Sequence, residues 1–204
     1  MIEEGMPDPR VRFFDRIAAS WDQDEQSPAK TLERMESLVD MLDLHPGQDL
    51  LEIGCGTGQL TGWLAGKVAP GRVVATDFSA AMLGIAGGKE SGATLYQADI
   101  CAERPAGGPF DVVLSFHSFP HYRDQAAALA NIAAVLKPGG RLIVMHLNSW
   151  RGVNHFHTHV GQEVENDHRP TPEQWPALLE KAGLRQERLV DEDDLFVLIG
   201  RNAQ

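Results

Sequence analysis

Leu50-Leu51-Glu52-Ile53-Gly54-Cys55-Gly56-Thr57-Gly58 decides the fold of this chain. Leu50 to Ile53 form an apolar run broken only by Glu52, as suits a strand buried on both faces of a parallel sheet. The run breaks into alternating glycines, which can take positive φ and let a ligand approach backbone N–H groups. A strand that ends in such a turn and leads into a helix places the turn at the carboxyl edge of the sheet, where open α/β sheets bind ligands. Gly54, Cys55, Gly56 and Gly58 are therefore candidate cofactor contacts, with a crossover helix expected from Thr57 to about Lys67.

Working outward, Arg72 to Asp77 reads as a second strand that ends in an acid about 20 residues after the glycines, the spacing of a carboxylate that accepts ribose hydroxyls. Ala93 to Ala98 reads as a third, followed by Asp99 and Ile100, an acid for an adenine amino group and an apolar wall. Three strand ends thus converge on one nucleoside. The G-x-G-x-G spacing differs from the dinucleotide fingerprint G-x-G-x-x-G, which argues against a nicotinamide oxidoreductase.

Taken together, LLEIGCGTGQLTGWLA, ATDFSAAML and QADI resemble the class I S-adenosylmethionine-dependent methyltransferases. The resemblance continues through Phe110 to Ser115, similar to that family's fourth strand, and through Val135 to Leu142, its helix-turn-strand passage. It implies an α/β, Rossmann-like sheet of seven strands, mainly parallel with one antiparallel strand, with helices on both faces. It also implies S-adenosyl-L-methionine as cofactor, with Glu52 facing its cationic end; the alternative for Glu52 is a strand-end hydrogen-bond acceptor. Phe78 and Met82 either line the adenine pocket or are plain core, and Ser115 closes the fourth strand beside the cofactor.

At 204 residues and 43% hydrophobic, the chain suits one domain with one sizeable core. A formal net charge of −11 repels phosphate backbones and anionic lipid, so nucleic acid and membrane are poor partners. No apolar run is long enough to span a bilayer, and the acidic start Met1-Ile2-Glu3-Glu4 is unlike a secretory signal, so the expected location is cytoplasmic. Two cysteines give no disulfide framework and too few thiolates for an arsenic acceptor. The expected assembly is a monomer or homodimer.

The first 45 residues carry two helical patterns. Phe14, Ile17, Ala18 and Trp21 form the stripe of a helix from about Arg10 to Asp22, either core or a lid over the pocket. Ser27-Pro28 starts a second helix, with Leu32, Met35, Val39 and Leu42 on one face up to His45. Ser79 should cap a short helix that Gly87-Gly88 ends. A later helix should carry Leu129, Ile132, Ala133, Val135 and Leu136, before a fifth strand from Arg141 to Leu147. Thr171-Pro172-Glu173-Gln174 has the form of a capping box, with Pro176 delaying the helix whose buried stripe is Trp175, Leu178, Leu179 and Ala182. A terminal hairpin, Leu184 to Val190 and Leu195 to Gly200, encloses a turn of Asp191-Glu192-Asp193-Asp194.

Seven of the eight histidines fall between His117 and His168. Three readings of the insertion at 148–170 stand: a solvent-washed segment, an acceptor pocket, or a metal site through His155, His157 and His159. No carboxylate or cysteine completes a familiar ligand spacing there, so no metal ligand is assigned.

Methyl transfer from a sulfonium is an in-line displacement that asks the protein chiefly for alignment and desolvation. For a hydroxyl or amine acceptor a neutral histidine can take the proton, and His121, His117 and His146 are best placed; a thiolate, carbanion or soft metalloid acceptor needs no base, and the sequence leaves these open. The loop Phe116 to Tyr122 lacks the [Asn/Asp]-Pro-Pro-[Tyr/Phe] pattern of nucleobase amine methylation. The expected acceptor is thus a small molecule. The alternative is a non-catalytic module that binds S-adenosylmethionine, or a metal through the histidines.

Overall fold

Alternation along the central strands sets the layers. In β5 (Leu136–His146) Leu142 and Val144 face one side while Ile143 and Met145 face the other, and in β7 (Leu195–Asn202) Phe196 and Leu198 oppose Val197 and Ile199. Strands buried on both faces need helices on both. The first cluster is covered by α6 (Gln125–Ala133), through Ala128, Leu129 and Ile132, and by α7 (Trp175–Lys181), through Trp175 and Leu179. The second is covered by α2 (Pro28–Ser37), α3 (Val39–Leu42) and α4 (Thr61–Val68), through Met35, Leu42, Leu64 and Val68. The structure, a computed structural model, describes residues 8–23, 27–151 and 163–203.

The remaining strands are β1 (Leu50–Ile53), β2 (Val73–Asp77), β3 (Thr94–Gln97), β4 (Phe110–Phe116) and β6 (Leu184–Glu192), and the sheet order is β3-β2-β1-β4-β5-β7-β6. All pairs from β3 to β5 are parallel, and β7 runs antiparallel to both its neighbours. The expected seven strands with one reversed are all present. Ile53 pairs with Thr76 on one side and Ser115 on the other, so β1 and its neighbours end level. The order reverses direction at β1, and the crevice above it is the switch point of the sheet.

Several boundaries differ from the sequence reading, each for a local reason. The crossover helix begins at Thr61 rather than Thr57, because Gly58 has φ +76 and cannot belong to a right-handed helix. The expected second helix breaks at Leu38 (φ −110), giving α2 and α3. Val135 and Leu136 leave the helix: Val135 offers its carbonyl to the Phe110 N–H and Leu136 opens β5. Half of the acidic turn is strand, since Asp191 and Glu192 pair with Phe196 and Leu195 and only Asp193 and Asp194 make the turn. Pro176 does postpone α7, which starts at Trp175, while the Gln174 side chain accepts the Thr171 N–H.

The first helix, α1 (Pro9–Ile17), is capped by Asp8 and followed by a 3-10 turn at Ala18–Ser20. Phe13, Phe14 and Ala18 pack with Ile17 and Trp21 against Met82, Phe78 and Ile85 on and beside α5 (Ala80–Gly87), a third cluster above the strand ends.

Trp175 has no exposed surface and lies 4.8 Å from the Phe119 ring and 6.1 Å from Phe196 (centroid distances), bridging α7, the loop after β4 and β7. Trp175→Ala should lower the unfolding free energy by about 3–5 kcal/mol, read as a lower urea midpoint with an unchanged slope.

Candidate functional site

The glycine loop is held in its turn by what its neighbours demand. Gly54, Gly56 and Gly58 have φ of +70°, +55° and +76°. A Cβ on Gly54 would lie 2.3 Å from the Ser118 Cβ, and one on Gly58 would lie 3.0 Å from the Ala86 Cβ. The position of a Cβ on Gly56 is open, with the Trp21 Nε1 as its nearest neighbour at 3.9 Å. Gly54 is therefore required by packing, Gly58 is favoured by its positive φ and a tight contact, and Gly56 leaves backbone bare toward a cavity.

That cavity lies above the ends of β1, β2, β3 and β4. Ile53, Gly54, Gly56 and Asp77 form its floor. One wall is Phe78, Met82, Ala98, Asp99 and Ile100; the other is Phe116, His117, Ser118, His121 and Tyr122. Phe14 and Trp21 of the N-terminal segment cover it, and Asp8 and Arg123 stand with them.

Asp77 is 5% exposed, and its two oxygens accept the N–H groups of Gly56 and Ser79, each at 2.8 Å. Burial pushes its carboxyl up to about 6 despite those bonds. An ionised carboxylate offers about four acceptor sites, so the group can still accept from a hydroxyl. Asp99 ion-pairs with Arg123 and accepts the Cys101 N–H at 2.8 Å. Ser79 caps α5 as expected, its Oγ accepting the Met82 N–H at 3.1 Å.

The loop after β4 is pinned by hydroxyls. The Tyr122 hydroxyl donates to the Ser115 Oγ at 3.0 Å, Ser115 and Ser118 meet at 2.9 Å, and the Ser118 Oγ donates to the Ile53 carbonyl at 2.7 Å. Burial raises the Tyr122 phenol well above its ordinary value, so it stays a neutral donor.

Of the expected cofactor residues, Gly54, Gly56, Asp77, Phe78, Met82, Asp99 and Ile100 line the cavity. Glu52, Cys55, Gly58 and Ser115 lie behind its wall. The Glu52 side chain turns away to accept the Thr61 hydroxyl at 2.6 Å, because it alternates with Leu51 and Ile53 and so faces α4. The Cys55 thiol is buried, which pushes its pKa up and keeps it protonated.

The three candidate bases separate as clearly. His117, at φ +54, lines the cavity, but its Nε2 accepts the Leu147 N–H at 3.2 Å. His146 is 1% exposed, lies outside the lining, and its ring sits 5.0 Å from that of His117. His121 lines the cavity, with its ring 4.8 Å from that of Phe14 and its Nδ1 2.8 Å from the Asp167 Oδ2. His155, His157 and His159 lie outside the described residues; among the described residues no group of three or more potential ligands could hold a metal ion. No helix among them is long and apolar enough to cross a membrane.

The residues that sequence reasoning missed are Ser118, Tyr122 and the polar groups that fasten the N-terminal segment. Asp15 accepts the Ser79 hydroxyl at 2.5 Å, and Asp22 accepts from Thr57, Gln59 and Lys89 at 2.5, 2.9 and 2.6 Å. The charged residues Asp15 and Asp22 flank the stripe that marked the helix, a signal that this helix has polar work on its other side.

The comparisons with known proteins agree with this geometry. Residues 51–144 match a family model described as a methyltransferase domain. Over 201 residues the chain is 30% identical to methyltransferase GfsG of Streptomyces halstedii, an alignment covering 89% of this chain and 70% of that protein. It is 34% identical over 138 residues to a demethylmenaquinone methyltransferase of Lactococcus lactis, covering 64% of this chain and 52% of the relative. The magnesium protoporphyrin IX methyltransferase of Synechocystis PCC 6803, solved with S-adenosylmethionine bound, superposes with a TM-score of 0.67 at 17% identity, covering 98% of this chain and 99% of that one. The chain belongs to the class I S-adenosylmethionine-dependent methyltransferases, whose cofactor is S-adenosylmethionine. The chain spans from 24% to 70% of the length of eight curated relatives, and less than two thirds of seven of them.

The site passes a simple test of fit for that cofactor. It offers bare glycine backbone, a buried carboxylate with lone pairs to spare, and an apolar slot beside a second acid.

Burial pushes Glu52 up to about 7, with the charge of Asp77 adding to the shift and the Thr61 bond opposing it. Below about pH 4.5 both folded and unfolded chains hold this proton. As pH rises toward 7 the unfolded chain releases it first, so this group's contribution falls with rising pH. In the ligand-free protein Glu52→Gln should be more stable than the parent at pH 8, by on the order of 3 kcal/mol, and equal to it near pH 4. Thermal melts at the two pH values check this.

Proposed function

We propose that this protein transfers a methyl group from S-adenosylmethionine to a hydroxyl- or amine-bearing small molecule, with His121 as general base. One observation carries the reading: a single cavity holds the glycine loop, Asp77 and Asp99 on its cofactor side and His121 across from them.

In this reading Asp77 receives the ribose hydroxyls, Asp99 and Ile100 receive the adenine, with Phe78 and Met82 as its apolar walls, and the backbone of Gly54 and Gly56 receives the remainder. The cofactor supplies an activated methyl group on a sulfonium. Glu52 acts from beneath the loop, holding Thr61 and through it the start of α4. The acceptor lies against Phe14, Phe116 and Tyr122, whose rings exclude water and align the nucleophile. With its Nδ1 directed at Asp167, His121 takes the acceptor proton on Nε2. α1 and Trp21 form the lid. A small-molecule acceptor accords with the Lactococcus relative being a demethylmenaquinone methyltransferase and with an acidic chain ill suited to nucleic acid.

Titration calorimetry of the protein with S-adenosylmethionine and S-adenosylhomocysteine should give micromolar binding of both and none of NADH. Asp77→Ala should weaken both by about 10- to 100-fold, the worth of hydrogen bonds to a charged group. Absence of binding by the parent protein would overturn the reading.

A further inference from the structure

Asp167 is a buried carboxylate that joins its own segment to two distant ones. Its side chain is 1% exposed. Arg10 of α1 donates to its Oδ1 from Nε at 2.8 Å and from Nη2 at 2.7 Å, while His121 approaches its Oδ2 at 2.8 Å. Asp167 itself does not line the cavity, whereas His121 does. A carboxylate that accepts from an imidazole nitrogen fixes the tautomer of the ring, because the nitrogen facing it must carry the proton.

We propose that Asp167 is the positioning residue of His121, holding it with Nδ1 protonated and Nε2 basic, and that Arg10 fixes which oxygen of Asp167 faces the ring. The inference rests on His121 being the base, and it joins the lid to the chemistry: the helix that covers the cavity also brings the guanidinium that sets the dyad. Of the other described groups near His121, Asp77 feels its charge, His117 is engaged with Leu147, Asp8 is bonded to Arg10, Arg123 is paired with Asp99 and Asp8, and Phe14 meets it ring to ring in a T-shaped contact.

The asymmetry of the carboxylate makes the proposal testable without knowing the acceptor. In Asp167→Asn, Arg10 can only donate, so it keeps the amide carbonyl on its own side and turns the NH₂ toward His121. That NH₂ needs an acceptor, which forces Nδ1 to lose its proton and moves it to Nε2. Nitrogen-15 spectra of the imidazoles at alkaline pH, with His121 assigned from the signal missing in His121→Gln, read this directly. The parent should show a protonated Nδ1 and a bare Nε2; Asp167→Asn should show the reverse. In the double variant Arg10→Met with Asp167→Asn the amide is free to turn over, and the Nδ1-protonated form should return as a measurable population. The double variant also removes the half-buried guanidinium that would otherwise keep Asp8 as its one remaining carboxylate partner among the described residues, so it guards against loss of the fold.

An unchanged tautomer in folded Asp167→Asn would overturn the proposal, and no return of the parent form in the double variant would overturn the part given to Arg10. Calorimetry with S-adenosylmethionine on the same samples keeps the two readings apart. Micromolar binding is still expected in both variants, since neither Asp167 nor Arg10 lines the cavity. A parent that binds no cofactor would sink the methyltransferase reading and leave the tautomer result to be judged by itself.

Discussion

The site depends on a side chain that is missing. Gly54 lets Ser118 come so close that any Cβ would collide with it, and that approach carries the bond from the Ser118 hydroxyl to the Ile53 carbonyl. Through this bond the loop after β4 is tied to the end of β1, with Ser115 and Tyr122 drawn into the same chain of hydroxyls. The cofactor floor and the wall that bears His121 are thereby one rigid unit. Pre-organisation of this kind is what alignment chemistry requires, because an error of an ångström between reacting groups costs far more than any single contact returns.

Against that rigid half the N-terminal segment is attached by different means. Phe13, Phe14 and Ala18 give it an apolar underside, and Asp15, Asp22 and Arg10 give it three polar fastenings, each to a different part of the site: the cap of α5, the glycine loop and Asp167. An element held by one apolar cluster of its own and by partly exposed polar contacts opens at lower cost than the sheet beneath it, which is buried on both faces. The cover is well suited to admit ligands, and its polar contacts are spent where they report on closure.

Much of this was legible in the chain before any coordinates. The strands announced themselves because burial on both faces leaves runs such as Leu50-Leu51 and Val73-Val74, and Asp77 and Asp99 stood out as acids where such runs stop. The boundaries that moved did so where one backbone angle outweighs a periodic pattern: Gly58 delays α4 and Leu38 divides a helix. Glu52 was read toward the cavity because the family resemblance suggested it, while strand alternation sends it the other way, to Thr61. Neither Asp167 nor Arg10 drew notice, and nothing in their neighbourhood could have singled them out. Their roles arise from contacts spanning 157 and 46 residues, which only the closed topology brings about.

The order of the last strands carries a consequence for how the molecule is made. β6 sits at the sheet edge and its ladder bonds all run to β7, which follows it in sequence and wedges in between β5 and β6. During synthesis β6 therefore leaves the ribosome before its support exists, and β5 waits with one flank unpaired although β1 to β4 are already at hand. The acidic residues Asp191 to Asp194 at the tip of this late hairpin, which repel other chains, suit a segment that must stay unpaired until its partner arrives.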